Sequence, residues 1–405
     1  MNTSDSAQTQ AGEFALLQSL SSRVYTALGI AIALVLAGLA AAHYMDVNGH
    51  WVTGMNNHVV WGIPHVFAIF LIVSASGCLN VASLSSVFGD QLTKPLARLA
   101  VVLAVGLLLA GLGVLILDLG RPERLIVAMT HFNFASVFTW NVFLYSGFVL
   151  LSLVYLWSLM SPALRMWRSR IGMFALAWRL VLTSGTGFIF GFLVARDAYD
   201  AAILAPLFVT VSLSCGLALF LLCMAMLRTI IGMSVSQPLL QYLARLLLQF
   251  VLLAFYVVAV MNIGASYVQE HAGFQNFLLY AGGGYTTGFW IAYMLFGSAV
   301  PVILLTTPMR ESFAMVVLAS ALVCMGAFAL FYVVIIAGQA YPMDLVPGYV
   351  VTSSSFMDGA VAPYTPRLPE ILLGLGGLGF AGAFVLLCAR VLPLIPISQS
   401  SRGLE

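Results

Sequence analysis

The stretch LARLAVVLAVGLLLAGLGVLILDL, residues 96–119, decides the fold because it holds no charged side chain for the 19 positions between Arg98 and Asp118. A helix rises about 1.5 Å per residue, so about 20 such residues cross the hydrocarbon layer of a bilayer. The stretch therefore predicts a transmembrane helix with a cation near one end and a carboxylate at the other.

The composition extends that prediction to the whole chain. Of its 405 residues, 62% are hydrophobic and 7% are charged, which is too little charge for a soluble surface. We predict an all-α, polytopic membrane bundle of about ten transmembrane helices with no separate soluble domain. The predicted spans are Val24–His43, Val60–Ser83, Leu96–Leu119, Ser136–Met160, Gly172–Ala195, Ile203–Leu227, Tyr242–Tyr267, Thr286–Thr307, Phe313–Gly338 and Ile371–Val391.

The basic residues predict how the bundle is oriented. The connections between spans are numbered in chain order. Twelve of the 16 Lys and Arg residues fall at the termini, in the even-numbered connections, or just inside spans on that same side. The positive-inside rule then places both termini in the cytoplasm, for a multi-pass protein of the bacterial inner membrane. Residues 1–22 and 393–405 are expected to be cytoplasmic tails, and residues 23–392 one transmembrane domain. Arg179, in the fifth span, is expected to reach the cytoplasmic head groups.

Several chemistries lack the residues they need. The five cysteines lie in predicted spans without a C-x-x-C pair, so neither a zinc site nor a cysteine-held cluster is indicated. There is no phosphate loop, no dinucleotide-binding glycine pattern and no nucleophile constellation. The chain alone therefore has little means to carry electrons.

His65 is the sharpest candidate site. It ends the sequence WGIPH, residues 61–65, at the outer end of the second span. If that helix starts near Val60, His65 lies on the order of 7–8 Å inside it. An ionisable group at that depth is costly and indicates function, and imidazole can donate a hydrogen bond and exchange a proton near neutral pH. The alternative is a histidine hydrogen-bonded to a neighbouring helix.

Asp118 is the second candidate. It closes the third span in LDLGRPER, residues 117–124, where Gly120 and Pro122 stop the helix. One interpretation is a proton acceptor at the outer membrane boundary. The other, equally weighted, is an ion pair with Arg121 or Arg124 that fixes the turn.

A long outer connection, Gln339 to Glu370, is rich in Pro, Gly and Ser and carries Tyr341 and Asp344. A connection of that length is usually functional or disordered. We expect an ordered cap or docking surface, with an interfacial aromatic belt as the alternative.

Three stretches carry a resemblance to a known family. They are WGIPH at 61–65, LDLGRPER at 117–124 followed by FASVFTWN at 134–141, and IAGQAYP at 336–342 with VPG at 346–348. The chain resembles the NrfD-like family, the PsrC-type membrane subunits of polysulfide reductase. Within it, the third stretch is similar to the ten-helix, DsrP-like branch.

The resemblance implies a mechanism. Such subunits hold no haem or iron–sulfur cluster. They bind a quinone, menaquinone or ubiquinone, near the outer face, where a periplasmic ferredoxin-like iron–sulfur subunit docks beside other membrane and cytochrome subunits. His65 matches the family histidine that hydrogen-bonds the quinone, with Trp61 beside it, and Tyr145 is the candidate pocket tyrosine. The family asparagine one turn earlier is Gly62 here. Arg121 and Arg124 would contact the partner.

The leading hypothesis is thus a non-autonomous, quinone-interacting subunit of a respiratory complex of sulfur metabolism, with His65 and Asp118 transferring protons. One rival is a secondary transporter or ion channel, in which Asp118 and Arg179 would line the path. A second rival is a haem-containing cytochrome, for which His43 and His65 are the only histidines at suitable depth.

Overall fold

The computed structural model describes residues 14–17, 21–343 and 359–396. Within these ranges ten helices are long and apolar enough to cross a membrane, which confirms the predicted polytopic bundle. In chain order, α1 to α10 are Ser22–Asn48, Ile63–Ser86, Lys94–Leu117, Val137–Met160, Arg168–Gly191, Leu204–Ile231, Gln237–Tyr267, Gly284–Thr306, Phe313–Ala340 and Leu368–Val391.

Helix α2 is the centre of the bundle. In its most apolar 18-residue window, 94% of the residues are buried, against 22% for α1 at the periphery. It packs on α3, α5, α6, α9 and α10, while α1 packs mainly on α10. Any side chain that α2 presents at its outer end is therefore held on a rigid element with neighbours on every side.

Glycine lets the central helices approach closely. A Cβ atom on Gly77 of α2 would overlap the carbonyl oxygen of Ser212 in α6, and one on Gly216 of α6 would overlap the backbone of Gly77. Lipid is as apolar as the helix surfaces, so close van der Waals contact between small residues is the main attraction between helices in a membrane. The Gly77–Gly216 crossing thus fixes α2 against α6.

Both ends of the described chain meet at one face of the bundle. Strand β1, Phe14–Ala15, pairs antiparallel with strand β2, Ile395–Pro396. An even number of spans requires the termini to share a side, and this pairing agrees with that. That the shared side is the cytoplasm stays a prediction.

Arg179 lies elsewhere than its sequence position suggested. It sits 11 residues into α5, about 17 Å from the helix start, and its side chain is 2% exposed. Its Nη1 donates to the carbonyl oxygen of Ser76 in α2 at 2.9 Å. The expectation that it reaches the head groups was wrong, because α5 begins at Arg168 rather than Gly172 and the arginine faces α2.

The glycine crossing gives a direct test. We expect Gly77→Ala to lower the free energy of unfolding by about 1–3 kcal/mol, because the added methyl group meets the backbone of α6. The midpoint of thermal unfolding in detergent measures this. Gly113→Ala in α3 is the control, since a Cβ there has no atom within 4 Å. Equal midpoints for the two variants would contradict the packing.

Candidate functional site

The chain segment that leads into α2 is extended where a helix was expected. Helix α2 begins at Ile63, and the backbone N–H groups of Val60 and Trp61 donate to the Gln339 side chain instead of entering a helix. Pro64 has no N–H and so fits the first turn. His65 is consequently the third residue of α2, nearer its outer end than the 7–8 Å of the sequence estimate.

A cleft of about 530 Å³ opens beside His65 at this outer end. It lies between the outer end of α3, the start of α2 and the connection from α1. Its lining mixes apolar and polar side chains. The lining residues are His50, Trp51, Met55, Asn56, Asn57, Val60, Trp61, His65, Leu115, Asp118, Leu119 and Gly120.

His65 and Asp118 face each other across this cleft. The His65 Nδ1 atom is 3.9 Å from Asp118 Oδ2, with the side chains 16% and 5% exposed. That separation allows an electrostatic attraction but is too long for a hydrogen bond. Neither Arg121 nor Arg124, both described, comes within 4.0 Å of the Asp118 carboxylate. The alternative of an arginine pair at the turn therefore lacks its contact.

The Asp118 carboxylate has an unused acceptor. Its Oδ1 atom is buried and no described group donates a hydrogen bond to it. Asp118 also caps the C-terminal end of α3, where the helix dipole offers a carboxylate no stabilisation. The Nε2 atom of His50 is 3.0 Å from the backbone carbonyl oxygen of Asp118. The His50 imidazole therefore contacts the backbone of Asp118 rather than its carboxylate. Asp118 lines the cleft as a residue, while its Oδ1 atom is enclosed by protein.

Trp61 orients the His65 ring. The two rings stack with centroids 5.4 Å apart and an angle of 14° between their planes. The edge of the indole then meets Phe190 of α5, with centroids 5.6 Å apart. The imidazole is thus held flat against one wall of the cleft.

Gln339, in the last turn of α9, holds the segment that carries Trp61. Its Oε1 accepts the N–H groups of Val60 and Trp61, both at 3.0 Å, and its Nε2 donates to the carbonyl oxygen of Trp61 at 3.1 Å. Arg196 links the same two segments. Its Nη1 atom donates to the backbone carbonyl oxygen of Gln339 at 2.6 Å, and its Nη2 atom donates to the backbone carbonyl oxygen of His58 at 3.0 Å. We call Gln339, together with these four residues, the Gln339 clamp.

Glu370, in the first turn of α10, holds the same segment from the other side. It is fully buried, and its Oε2 accepts from the backbone N–H of Gly54 at 2.9 Å. Its Oε1 accepts from the Tyr364 hydroxyl at 2.7 Å, and that hydroxyl accepts from the N–H of Ile63 at 2.6 Å. Burial, and then the adjacent Glu370 carboxylate, raise the pKa of Tyr364 far above its usual range. The phenol therefore stays protonated and donates.

The other predicted site residues are placed apart from the cleft. Tyr145 is buried in α4, with its hydroxyl 3.4 Å from Thr186 Oγ1 of α5, and does not line the cleft. Tyr341 packs against Phe274 and Phe277. Asp344 lies outside the described residues.

Gln339, Glu370 and Tyr364 had not been singled out as site residues. Gln339 stood within the family-like stretch IAGQAYP, so that stretch carried a usable signal. Nothing in the sequence pairs Glu370 with Gly54, because the two are 316 positions apart. Gln339 and Glu370 both fall in the predicted outer connection. Because a connection lacks the helical periodicity of a span, the sequence does not predict where their side chains lie.

The cleft has the volume and the mixed lining of a small-molecule site. Its volume lies within the roughly 300–1,000 Å³ of small-molecule sites, and it joins aromatic and aliphatic walls to one carboxylate and one imidazole. No three described His, Cys, Asp or Glu side chains lie close enough to hold a metal ion. A quinone or quinol ring matches this set, because its hydroxyl or carbonyl groups need an acceptor and a donor at one end.

Comparison with known proteins agrees with the motifs. A family model described as "Polysulphide reductase, NrfD" matches residues 51–343, which include α2 to α9 and every cleft-lining residue except His50. The chain belongs to this NrfD family. Among its relatives, the Hdr-like menaquinol oxidoreductase integral membrane subunit of Archaeoglobus fulgidus is 28% identical over 92% of this chain and 94% of its own length.

Two further relatives of this NrfD-family chain are informative. A putative membrane subunit of the dimethyl sulfoxide reductase of Halobacterium salinarum is 30% identical, with 91% of each chain covered. Protein NrfD of Escherichia coli is 23% identical, over 69% of this chain and 95% of its own length. The similarity therefore reaches nearly end to end in the archaeal relatives.

The Gln339 clamp can be tested without any activity. Gln339→Leu leaves two backbone N–H groups without their acceptor, which costs about 1–3 kcal/mol for each group. We expect faster amide hydrogen exchange across residues 54–62, measured by mass spectrometry. Gln237→Leu, which removes an exposed bond to the Glu311 carbonyl, should leave that exchange unchanged. Protection of residues 54–62 in Gln339→Leu would contradict the clamp.

Proposed function

We propose that this chain is the quinone-interacting membrane subunit of a multi-subunit redox complex, and that the cleft beside His65 binds the quinone ring. The observation that carries the proposal is that His65 and Asp118, two ionisable residues whose Nδ1 and Oδ2 atoms are 3.9 Å apart, line one cleft at the outer end of the bundle. The name of the Archaeoglobus relative, a menaquinol oxidoreductase subunit, supports the same substrate class. Menaquinone and ubiquinone both fit this description.

The residues of the cleft have separate roles in this proposal. A bound quinone or quinol supplies two-electron chemistry coupled to two protons. The Asp118 carboxylate would accept a hydrogen bond from a ring hydroxyl and take its proton, while the His65 imidazole, whose Nδ1 is 3.9 Å from Oδ2, would bond the ring and transfer a second proton. Trp61 keeps the imidazole in place. Tyr145 has no role here because its hydroxyl faces Thr186.

The cleft lies at the face opposite the paired termini. We infer that this face is periplasmic, because most basic residues lie on the terminal side. A periplasmic ferredoxin-like iron–sulfur subunit would dock over the cleft and exchange electrons with the ring, as the family resemblance implies. The family resemblance also supports a DsrP-like place in a sulfur-metabolism complex with further membrane and cytochrome subunits.

The two rival hypotheses have weaker support. His43 is an exposed side chain on α1 and does not line the cleft with His65, so the pair needed for one haem is not assembled. For a transporter, Asp118 and Arg179 would have to share a path. Asp118 caps the outer end of α3 while the Arg179 guanidinium is bound to Ser76 near the middle of α2.

The ring site is tested in the assembled complex. We expect His65→Ala and Asp118→Asn each to lower quinol-dependent turnover by about 10²-fold or more, because each removes a proton-exchanging group. Turnover and KM are measured with short-chain menaquinol and ubiquinol analogues, which also identifies the preferred ring. An absorption spectrum of the purified chain tests the cytochrome alternative in the same preparation.

His131→Ala is the matched control for this experiment. His131 is an exposed histidine on the same outer face, bonded to Thr130 rather than to the cleft, and its loss should leave turnover unchanged. Unaltered turnover and quinone affinity in His65→Ala would refute the site.

Partner docking has its own test. Arg121 and Arg124 are exposed and follow Gly120, which lines the cleft. We expect Arg121→Glu with Arg124→Glu to reduce the iron–sulfur subunit that co-purifies at least about tenfold, because like charges across a specific interface cost several kcal/mol. The iron content of the complex measures this. Arg310→Glu, at the opposite face, is the control, and undiminished iron in the double variant would argue against docking there.

A further inference from the structure

A second pocket, of about 290 Å³, opens at the face that carries both termini. We call it the terminal-face pocket. It lies where α2 and α4 end and α3 and α5 begin, on the far side of the membrane from the quinone cleft. Its described lining residues are Phe14, Ser85, Ser86, Gln91, Lys94, Ala97, Arg98, Leu159, Arg165 and Arg168.

Four of these side chains are cations and none of the described lining residues is acidic. Arg98 forms the base, since it is buried and its guanidinium donates to the carbonyl oxygens of Pro393 and Leu159, with Phe14 stacked 3.9 Å away. Lys94 and Arg165 are exposed at the mouth. Bringing the cations of Lys94, Arg165 and Arg168 around one space is unfavourable unless an anion balances them.

Arg168 supplies the specific sign that a ligand is missing. Its Nε donates to the Ser158 carbonyl at 3.1 Å, but its Nη2 atom is buried and no described group accepts from it. A buried donor of a charged group without an acceptor is costly. The hydroxyls of Ser85 and Ser86 and the Gln91 amide line the same pocket, so an anion there would meet both charged and neutral donors.

The neighbouring surface indicates that the anion belongs to a lipid. Met166 and Trp167 lie between Arg165 and Arg168 in the chain, and they are 91% and 54% exposed. Trp157, at the same end of α4, is 62% exposed. Exposed tryptophan beside arginine is typical of the membrane interface, where basic pockets between helices bind anionic head groups.

We propose that the terminal-face pocket binds the phosphate of an anionic phospholipid, held by Arg168, Arg165 and Lys94. The head group would fill the pocket, whose volume is too small for a whole lipid, and the acyl chains would lie along the outside of α4. Such a lipid would tie the α4–α5 connection to the ends of α2 and α3. This site does not depend on the quinone function of the opposite face.

The proposal is tested with delipidated protein in detergent. Phosphatidylglycerol should raise the midpoint of thermal unfolding, and native mass spectrometry should show a retained lipid. Phosphatidylcholine and inorganic phosphate at equal concentration should have little effect. Equal stabilisation by inorganic phosphate would overturn the lipid as ligand, and equal stabilisation by phosphatidylcholine would overturn the preference for negative charge.

Variants complete the test. We expect Arg165→Gln with Arg168→Gln to weaken phosphatidylglycerol binding at least about tenfold, whereas Arg170→Gln with Arg310→Gln, which removes two charges from the same face outside the pocket, should not. Lys94→Gln, at the exposed mouth, should weaken phosphatidylglycerol binding less, and it replaces the double variant if that variant does not fold. Unchanged phosphatidylglycerol binding in Lys94→Gln and, where it folds, in the double variant would refute the site.

Discussion

The contact between the Gln339 side chain and the backbone of Val60 and Trp61 is the constraint on which the cleft depends. One amide satisfies two N–H groups and one carbonyl of a segment that is not helical. At the edge of a membrane, unpaired backbone groups are costly. The clamp therefore allows an extended chain to stand beside helix α2. Pro64 prevents the segment from joining α2 as helix. Without the clamp its amides would therefore lack partners, Trp61 would move away from the His65 ring, and the cleft would lose a wall.

The structure holds its ionisable groups in two different ways. Glu370 is buried with donors on both oxygens, from Gly54, Arg367 and Tyr364, so it is a satisfied structural group. Asp118 keeps one buried oxygen without a donor. The satisfied carboxylate stabilises the loop. Asp118 also lines the cleft, which Glu370 does not, and this position is why we propose it as a site residue.

Sequence reasoning succeeded where a long-range physical constraint acts on every residue. Bilayer thickness sets the length of a span, so ten spans could be predicted from apolar runs alone. Sequence reasoning failed at positions that are decided by tertiary contacts. The start of α2 was misplaced because Gln339, far along the chain, takes the amides of Val60 and Trp61. Arg179 was assigned to the head groups because its carbonyl partner, Ser76, lies on another helix. His65 and Asp118 could be singled out because ionisable groups within apolar spans are rare, but the 3.9 Å between their side chains could not be predicted.

At Gly62 this chain departs from the family pattern, and the departure bears on how the proposed ring would be held. In the family members that this chain resembles, an asparagine one turn before the histidine contributes to the quinone pocket. Here a Cβ at position 62 would lie 2.5 Å from Glu370 Oε1 and 2.9 Å from both Met55 Cγ and the Tyr364 hydroxyl, so no side chain fits. The space that an asparagine would occupy is filled by the Glu370–Tyr364 pair that secures the loop. With no polar group from position 62, the carboxylate beside His65 comes from α3, as Asp118. A ring bound here would therefore be held between α2 and α3, rather than by two residues of a single helix turn.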